Sequence, residues 1–184
     1  AAAAMLQGMT AHYLTHSTFA IAPGHTALVH AAAGGTGRLI SQMVKLRGGR
    51  VIGTAGTREK GEVARQAGAD EVILYGEQDL VAEVKRLTDG KGVEVVYDGV
   101  GEATFLQSLD CLKPRGMMVA FGNASGPVKP VDPLLLSAKG SLFLTRPTLA
   151  NYSSPDEIKW RSSDVLGWIL NKQLDLLIER VYPL

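Results

Sequence analysis

The chain has 184 residues, 46% of them hydrophobic and 20% charged, a balance that fits one globular domain with a sizeable core. Its formal net charge of +1 provides no electrostatic footprint for nucleic acid. A single cysteine, Cys111, excludes an internal disulfide and a multi-cysteine zinc site, and no apolar run approaches the ~18–20 residues of a membrane span.

Residues 2–18 are helix-compatible. The first 37 residues carry no Asp, Glu, Lys or Arg and hold all four histidines. A stretch so uncharged reads as the interior of something larger. With the Ala-Ala-Ala-Ala start, it leads us to expect a fragment of a longer protein. The start also lacks the basic region of a secretory signal. His12 and His16 are spaced i, i+4 on a predicted helix, a geometry that can bind metal, but no third ligand is apparent and no metal is expected. Pro23-Gly24 breaks the chain before a first strand from Ala27 to Ala31.

A helix follows from Gly35 to Leu46 with Leu39, Ile40, Met43, Val44 and Leu46 on its apolar face, and Gly48-Gly49 ends it. The pattern then repeats: strand 50–55, helix 58–67, strand 71–74, helix 79–88, strand 93–97, helix 101–112 and strand 116–121. Gln78-Asp79 reads as a helix cap, Asp98 as a turn former and Cys111 as a small buried hydrophobe. Residues 122–139 read as loop, 141–145 as a last strand and 155–172 as a helix capped by Ser154. A tail from Leu174 closes the sequence. The strands are continuous apolar runs rich in β-branched residues, which fits a parallel sheet covered on both faces. Alternating strands and helices predict a doubly wound α/β domain: six parallel strands in a Rossmann-type sheet with helices on both faces.

The turn after the first strand reads Ala32-x-Gly34-x-x-Gly37, a dinucleotide fingerprint with Ala in the first glycine slot. Gly34 permits close approach of a pyrophosphate, and Gly37 permits tight packing of helix on strand. The free N–H groups of Gly35, Thr36 and their neighbours, with the positive end of the helix dipole, would hold the phosphates. His30 would support this turn or meet a backbone carbonyl.

An NAD site usually places an acid roughly 20 residues past the glycines, on the ribose 2′-hydroxyl. Here the second strand ends in Gly56-Thr57-Arg58-Glu59-Lys60. A 2′-phosphate carries about two negative charges, which Arg58 and Lys60 can pair and an acid would repel. NADP is therefore expected over NAD, with Glu59 pointing to solvent.

The run His30-Ala-Ala-Ala-Gly-Gly-Thr-Gly37 is followed by Val51-Ile-Gly-Thr54, Ala67-Gly-Ala-Asp70 and Val95-Val-Tyr-Asp-Gly-Val-Gly101. Ser108-Leu-Asp-Cys-Leu112, Phe121-Gly-Asn123, Lys139-Gly-Ser-Leu142 and Thr145-Arg-Pro147 come after. In this order and spacing they resemble the zinc-free, ζ-crystallin-like quinone oxidoreductases of the medium-chain dehydrogenase/reductase superfamily, across essentially the whole chain. Thr36 departs from the pattern, where the family usually has Val.

The resemblance implies an NADPH-dependent quinone reductase, cytoplasmic and homodimeric. Residues 1–184 would be its nucleotide-binding domain, without the N-terminal GroES-like catalytic domain and its C-terminal return, and possessing little turnover alone. It also implies that Gly56, Lys60 and Tyr75 contact the 2′-phosphate, although a strand-end Tyr75 could instead pack on the sheet rim. Phe121, Gly122 and Asn123 would flank the nicotinamide, with Arg146 near the same end or in a surface ion pair. The edge strand within 140–147 would pair across the dimer axis. No catalytic residue is assigned, since hydride transfer needs no protein nucleophile. The alternatives are an NADPH-dependent enoyl or alkenal reductase, or a non-catalytic crystallin-like or RNA-binding NADPH protein. A methyltransferase is disfavoured, because it should place an acid at the second strand end.

Overall fold

The computed structural model describes residues 2–178. Helix α1 (Ala2–Tyr13) runs into one π-turn at Leu14–Thr18. Then come β1 (Thr26–Val29), α2 (Gly35–Leu46), β2 (Arg50–Ala55), α3 (Arg58–Gln66) and β3 (Glu71–Leu74). The second half is α4 (Leu80–Leu87), β4 (Val93–Asp98), α5 (Phe105–Cys111), β5 (Leu112–Ala120), α6 (Pro133–Ala138) and β6 (Phe143–Thr145). A 3-10 turn at Leu149–Tyr152 precedes α7 (Pro155–Leu170).

All strand pairings are parallel and the order is β3-β2-β1-β4-β5-β6. The expected doubly wound Rossmann sheet is therefore the observed fold. Its winding reverses between β1 and β4, and in such sheets ligands bind outside the strand carboxyl ends at that point.

Side chains alternate across the sheet. Ala27, Val29, Val51, Val95 and Tyr97 face one layer with residues of α1, α2, α3 and α7. Leu28, Ile52, Ile73, Val96 and Met118 face the other with residues of α4, α5 and α6. Burying a Leu, Ile or Val contributes about 1.5–3 kcal/mol. Helices of 6 to 16 residues are marginal in isolation, so these two layers hold them.

Local chemistry sets the ends. Asp79 accepts the Ala82 N–H at 2.8 Å to cap α4, as expected. Ser154 and Glu157 make a reciprocal capping box on α7.

Several boundaries differ from the sequence expectation, among them β6, which starts at Phe143 rather than 141 because Ser141 turns into the left-handed region at φ 57°. β1 stops at Val29 because Ala31 turns into the left-handed region at φ 49°. The helix expected from 101 begins only at Phe105. Asp98 Oδ1 accepts the N–H groups of Val100 and Gly101, at 2.7 and 3.0 Å, and holds that stretch as a turn. β5 begins at Leu112, earlier than expected, through an irregular pairing with Val93. Within the expected loop 122–139, Asp132 caps a short helix with Pro133 in its first turn, α6. The end of the tail, residues 179–184, lies outside the described residues.

Candidate dinucleotide site

At the carboxyl end of β1 the glycine-rich turn is tightly closed. The Gly34 N–H donates to the Ala31 carbonyl at 2.8 Å, and the Arg38 N–H donates to the Gly34 carbonyl at 2.9 Å. A Cβ on Gly37 would lie 2.4 Å from the Ala31 carbonyl oxygen and 3.0 Å from Ala32 Cα. Both are backbone atoms, so no rotamer change relieves the contact. A Cβ on Gly34 would sit 3.2 Å from the same oxygen. Ala32 and Gly37 are buried, while Gly34 and Gly35 are exposed. Gly35, Thr36 and Gly37 form the first turn of α2, whose N–H groups have no intrahelical acceptor. The turn therefore presents donors and a positive dipole end to the open edge.

The end of β2 lies beside it. Ala55 is buried and residues 56–60 are all exposed. Thr57 caps α3 by accepting the Lys60 N–H at 3.3 Å. Tyr75 is 59% exposed, so it does not pack away on the sheet rim. Its hydroxyl lies 2.6 Å from where a Gly56 Cβ would stand, so the Tyr75 ring rests directly over Gly56. Arg58 donates twice to Glu77, Nη2 to Oε2 at 2.9 Å and Nε to Oε1 at 3.4 Å. Lys60 is exposed and makes no ion pair among the described residues. Glu59 is exposed as expected.

At the end of β5, the N–H groups of Phe121 and Gly122 donate to the Asp98 carbonyl at 2.8 and 3.3 Å. A Cβ on Gly122 would collide with Gly99 backbone at 2.4 Å. Asn123 and Arg146 line one cleft of about 340 Å³ with Phe105, Ala120 and Leu144. Arg146 is exposed and donates to its neighbour's carbonyl, that of Pro147, at 3.1 Å. Among the described residues it makes no ion pair. The fold thus gathers the singled-out residues on one edge, in three strand-end groups.

The paired histidines, His12 in α1 and His16 in the π-turn that follows, lie in the layer of α1, α2 and α7. Arg161 Nη1 donates to His12 Nδ1, and His12 Nε2 donates to Asp164 Oδ2, each at 3.0 Å. Both ring nitrogens are engaged, and burial lowers the His12 pKa. His16 stacks on His12 at 4.1 Å. Among the described residues, no group of three or more His, Cys, Asp or Glu is placed to hold a metal ion.

Three features escaped the sequence reading. Gln7 of α1 reaches over the turn, its Oε1 2.4 Å from where a Gly35 Cβ would stand. Thr54 and Ser108 converge on His30 beneath the turn, at 3.1 and 2.9 Å. Gln7 lies in no motif, and the runs that contain Thr54 and Ser108 do not mark these side chains as partners of His30.

Residues 35–158 match the family profile described as "Zinc-binding dehydrogenase". The chain is 45% identical to a "Quinone oxidoreductase" of Pseudomonas aeruginosa over 185 residues, covering 100% of this chain and 57% of that protein. It is 44% identical to a "2-haloacrylate reductase" of a Burkholderia species over 182 residues, covering 98% of this chain and 55% of that one. The crystal structure of Escherichia coli quinone oxidoreductase complexed with NADPH matches with a TM-score of 0.94 at 45% identity, over 97% of this chain and 55% of that chain. The chain therefore spans little more than half the length of these relatives. It belongs to the zinc-binding dehydrogenase family, in the zinc-free quinone oxidoreductase branch of the medium-chain dehydrogenase/reductase superfamily.

Proposed function

We propose that this chain is the NADPH-binding domain of a cytoplasmic quinone reductase. The end of β2 carries the reading. Where an acid would hold a ribose diol, the chain presents exposed Lys60 with Gly56 kept open beneath the Tyr75 hydroxyl. The glycine turn fits a dinucleotide: exposed Gly34 and Gly35 leave the first N–H groups of α2 open, and Gly37 lets the turn close tightly beneath them. The relative solved with NADPH supports the same cofactor.

In this reading the N–H groups at the start of α2 hold the pyrophosphate. Lys60 supplies a point charge and Tyr75 a hydroxyl to the 2′-phosphate. Arg58 joins them after exchanging its exposed, solvent-screened Glu77 partner. Phe121, Gly122, Asn123 and Arg146 flank the nicotinamide end. The bound nucleotide supplies the hydride, and the protein orients it and excludes water. A GroES-like domain outside residues 1–184 would complete the substrate pocket. The edge strand β6, with Phe143 57% exposed, would pair with a second copy across a dimer axis, since open apolar edges are normally covered.

A second reading is favoured by the haloacrylate reductase relative: reduction of an electron-poor carbon–carbon double bond, as in an enone. Both readings use the same cofactor site.

The test is a fluorescence titration of the chain with NADPH and NADH, beside Lys60→Ala. We expect NADPH preference, reduced about tenfold or more in the variant, as for loss of a charge-assisted contact. NADH preference, or a ratio unchanged in the variant, overturns the reading.

A further inference from the structure

A chain of buried hydrogen bonds runs under the glycine-rich turn. Thr54, His30, Asp98 and Ser108 are at most 2% exposed. The Ala31 N–H donates to Thr54 Oγ1 at 3.2 Å, and Thr54 Oγ1 lies 3.1 Å from His30 Nδ1. On the other side of the ring, His30 Nε2 lies 2.9 Å from Ser108 Oγ. Ser108 donates to Asp98 Oδ2 at 3.2 Å or to the Thr104 carbonyl at 2.8 Å, and Thr104 Oγ1 donates to Asp98 Oδ2 at 2.7 Å.

The partners fix the direction of the chain. Asp98 is an acceptor, so Ser108 spends its proton on that side and accepts from His30 Nε2–H. The neutral ring then accepts at Nδ1 from the Thr54 hydroxyl, which leaves the Thr54 oxygen free to accept from Ala31. The opposite tautomer would leave the Thr54 hydroxyl proton without an acceptor among the described residues.

The anchored residue matters. Ala31 has φ 49°, a left-handed conformation that is strained for a non-glycine residue and persists only when the surroundings over-determine it. Its carbonyl accepts the Gly34 N–H and abuts Gly37. At the far end Asp98 Oδ1 holds the N–H groups of Val100 and Gly101, and its carbonyl holds Phe121 and Gly122.

We propose that Thr54 and Ser108, acting through His30, are positioning residues for the dinucleotide: they lock Ala31 and tie the phosphate turn of β1 to the turns after β4 and β5. The inference rests on the cofactor reading above, and it predicts a division of labour. The network sets the pyrophosphate turn, so its loss weakens NADPH and NADH alike. Lys60 sets only the choice between them.

The experiment compares Thr54→Val, Thr54→Ser, Ser108→Ala and Lys60→Ala, all at a temperature where each is folded. Dissociation constants are measured for NADPH, NADH and 2′-AMP, which lacks a pyrophosphate. Amide hydrogen exchange of residues 31–37 is followed in the same samples.

Thr54→Val should weaken both dinucleotides about tenfold, the scale of one buried hydrogen bond with its stranded donor. Their ratio and 2′-AMP binding should hold within about twofold. Ser108→Ala should act in the same direction, and Thr54→Ser should bind as wild type. Exchange should quicken at residues 31–37 and not across the sheet.

Unchanged dinucleotide binding in Thr54→Val, or unchanged exchange in the turn, overturns the proposal. So does loss of all three ligands with exchange raised throughout the sheet, which marks a merely structural role. If the wild-type chain binds neither dinucleotide, the cofactor reading fails by itself, and the exchange pattern alone decides whether the network locks the turn.

Discussion

Replacing Gly37 with Ala adds one methyl to the first turn of α2, and two effects oppose each other. In a helix Ala is preferred over Gly by about 1 kcal/mol. Against this, the new Cβ would sit 2.4 Å from the Ala31 carbonyl oxygen and 3.0 Å from Ala32 Cα. Neither atom belongs to a side chain that can rotate away, so the turn or the helix must shift. Overpacking of this kind costs about 1–3 kcal/mol, and a rigid backbone contact belongs at the upper end. The net expectation is a loss of roughly 1–2 kcal/mol. For a chain of this size that lowers Tm by about 3–6 °C. Because the shifted groups are those proposed to hold the pyrophosphate, NADPH affinity should fall at least about tenfold. Gly167→Ala in α7 is the control, since nothing lies within 4 Å of its Cβ. There propensity acts alone, and Tm should rise by about 2–4 °C with binding unchanged. Thermal melts and NADPH titrations of both variants decide the matter. A Gly37→Ala protein that melts at or above the wild-type temperature and binds NADPH normally would refute the steric argument.

Three further outcomes are expected. Arg161 is fully buried and donates to His12 Nδ1, Ser17 Oγ, Glu157 Oε1 and the Tyr152 carbonyl. Arg161→Ala strands these acceptors and should cost about 3–5 kcal/mol in urea unfolding; a loss under about 1 kcal/mol would mean the cluster is dispensable. Burial first, and the neighbouring His12 after it, push the His16 pKa down to about 4. Between pH 6.5 and 4 the unfolded state therefore binds more protons, and this contribution to stability, complete above 6.5, is lost as pH falls. The unfolding free energy of His16→Gln should fall less steeply from pH 7 to 5 than that of wild type, and parallel slopes would contradict the assignment. Cys111 is buried and its thiol is pushed up to about 12. A disulfide reagent at pH 8 should leave the native chain unlabelled and modify it in urea, whereas rapid native labelling would show that the α5–β5 junction opens readily.

Local patterns decided much of this molecule. The 3.6-residue periodicity between Gly34 and Gly48 delimits α2 at Gly35–Leu46, because glycines on both sides stop the helix. The apolar runs of β2 and β4 announced a sheet buried on both faces, and the turn motif with the missing acid pointed to a phosphate-bearing cofactor. These signals are legible because backbone preference and periodicity act over a few residues.

Other features depend on atoms far apart in sequence. Thr54 and Ser108 lie 24 and 78 residues from His30, and only the parallel order of β2, β1 and β4, with α5 following β4, brings their hydroxyls to one ring. Arg161 meets His12 across 149 residues, which ties up the His12 ring in a buried hydrogen-bond cluster. Asp98 shortens α5 because its carboxylate takes the N–H groups of Val100 and Gly101, and a hydrophobic pattern does not register that competition. Chain chemistry alone set most of the elements and pointed to a phosphate-bearing ligand. The fold decided which buried polar groups stand beneath that site, because each is stable there only with partners that the folded sheet supplies.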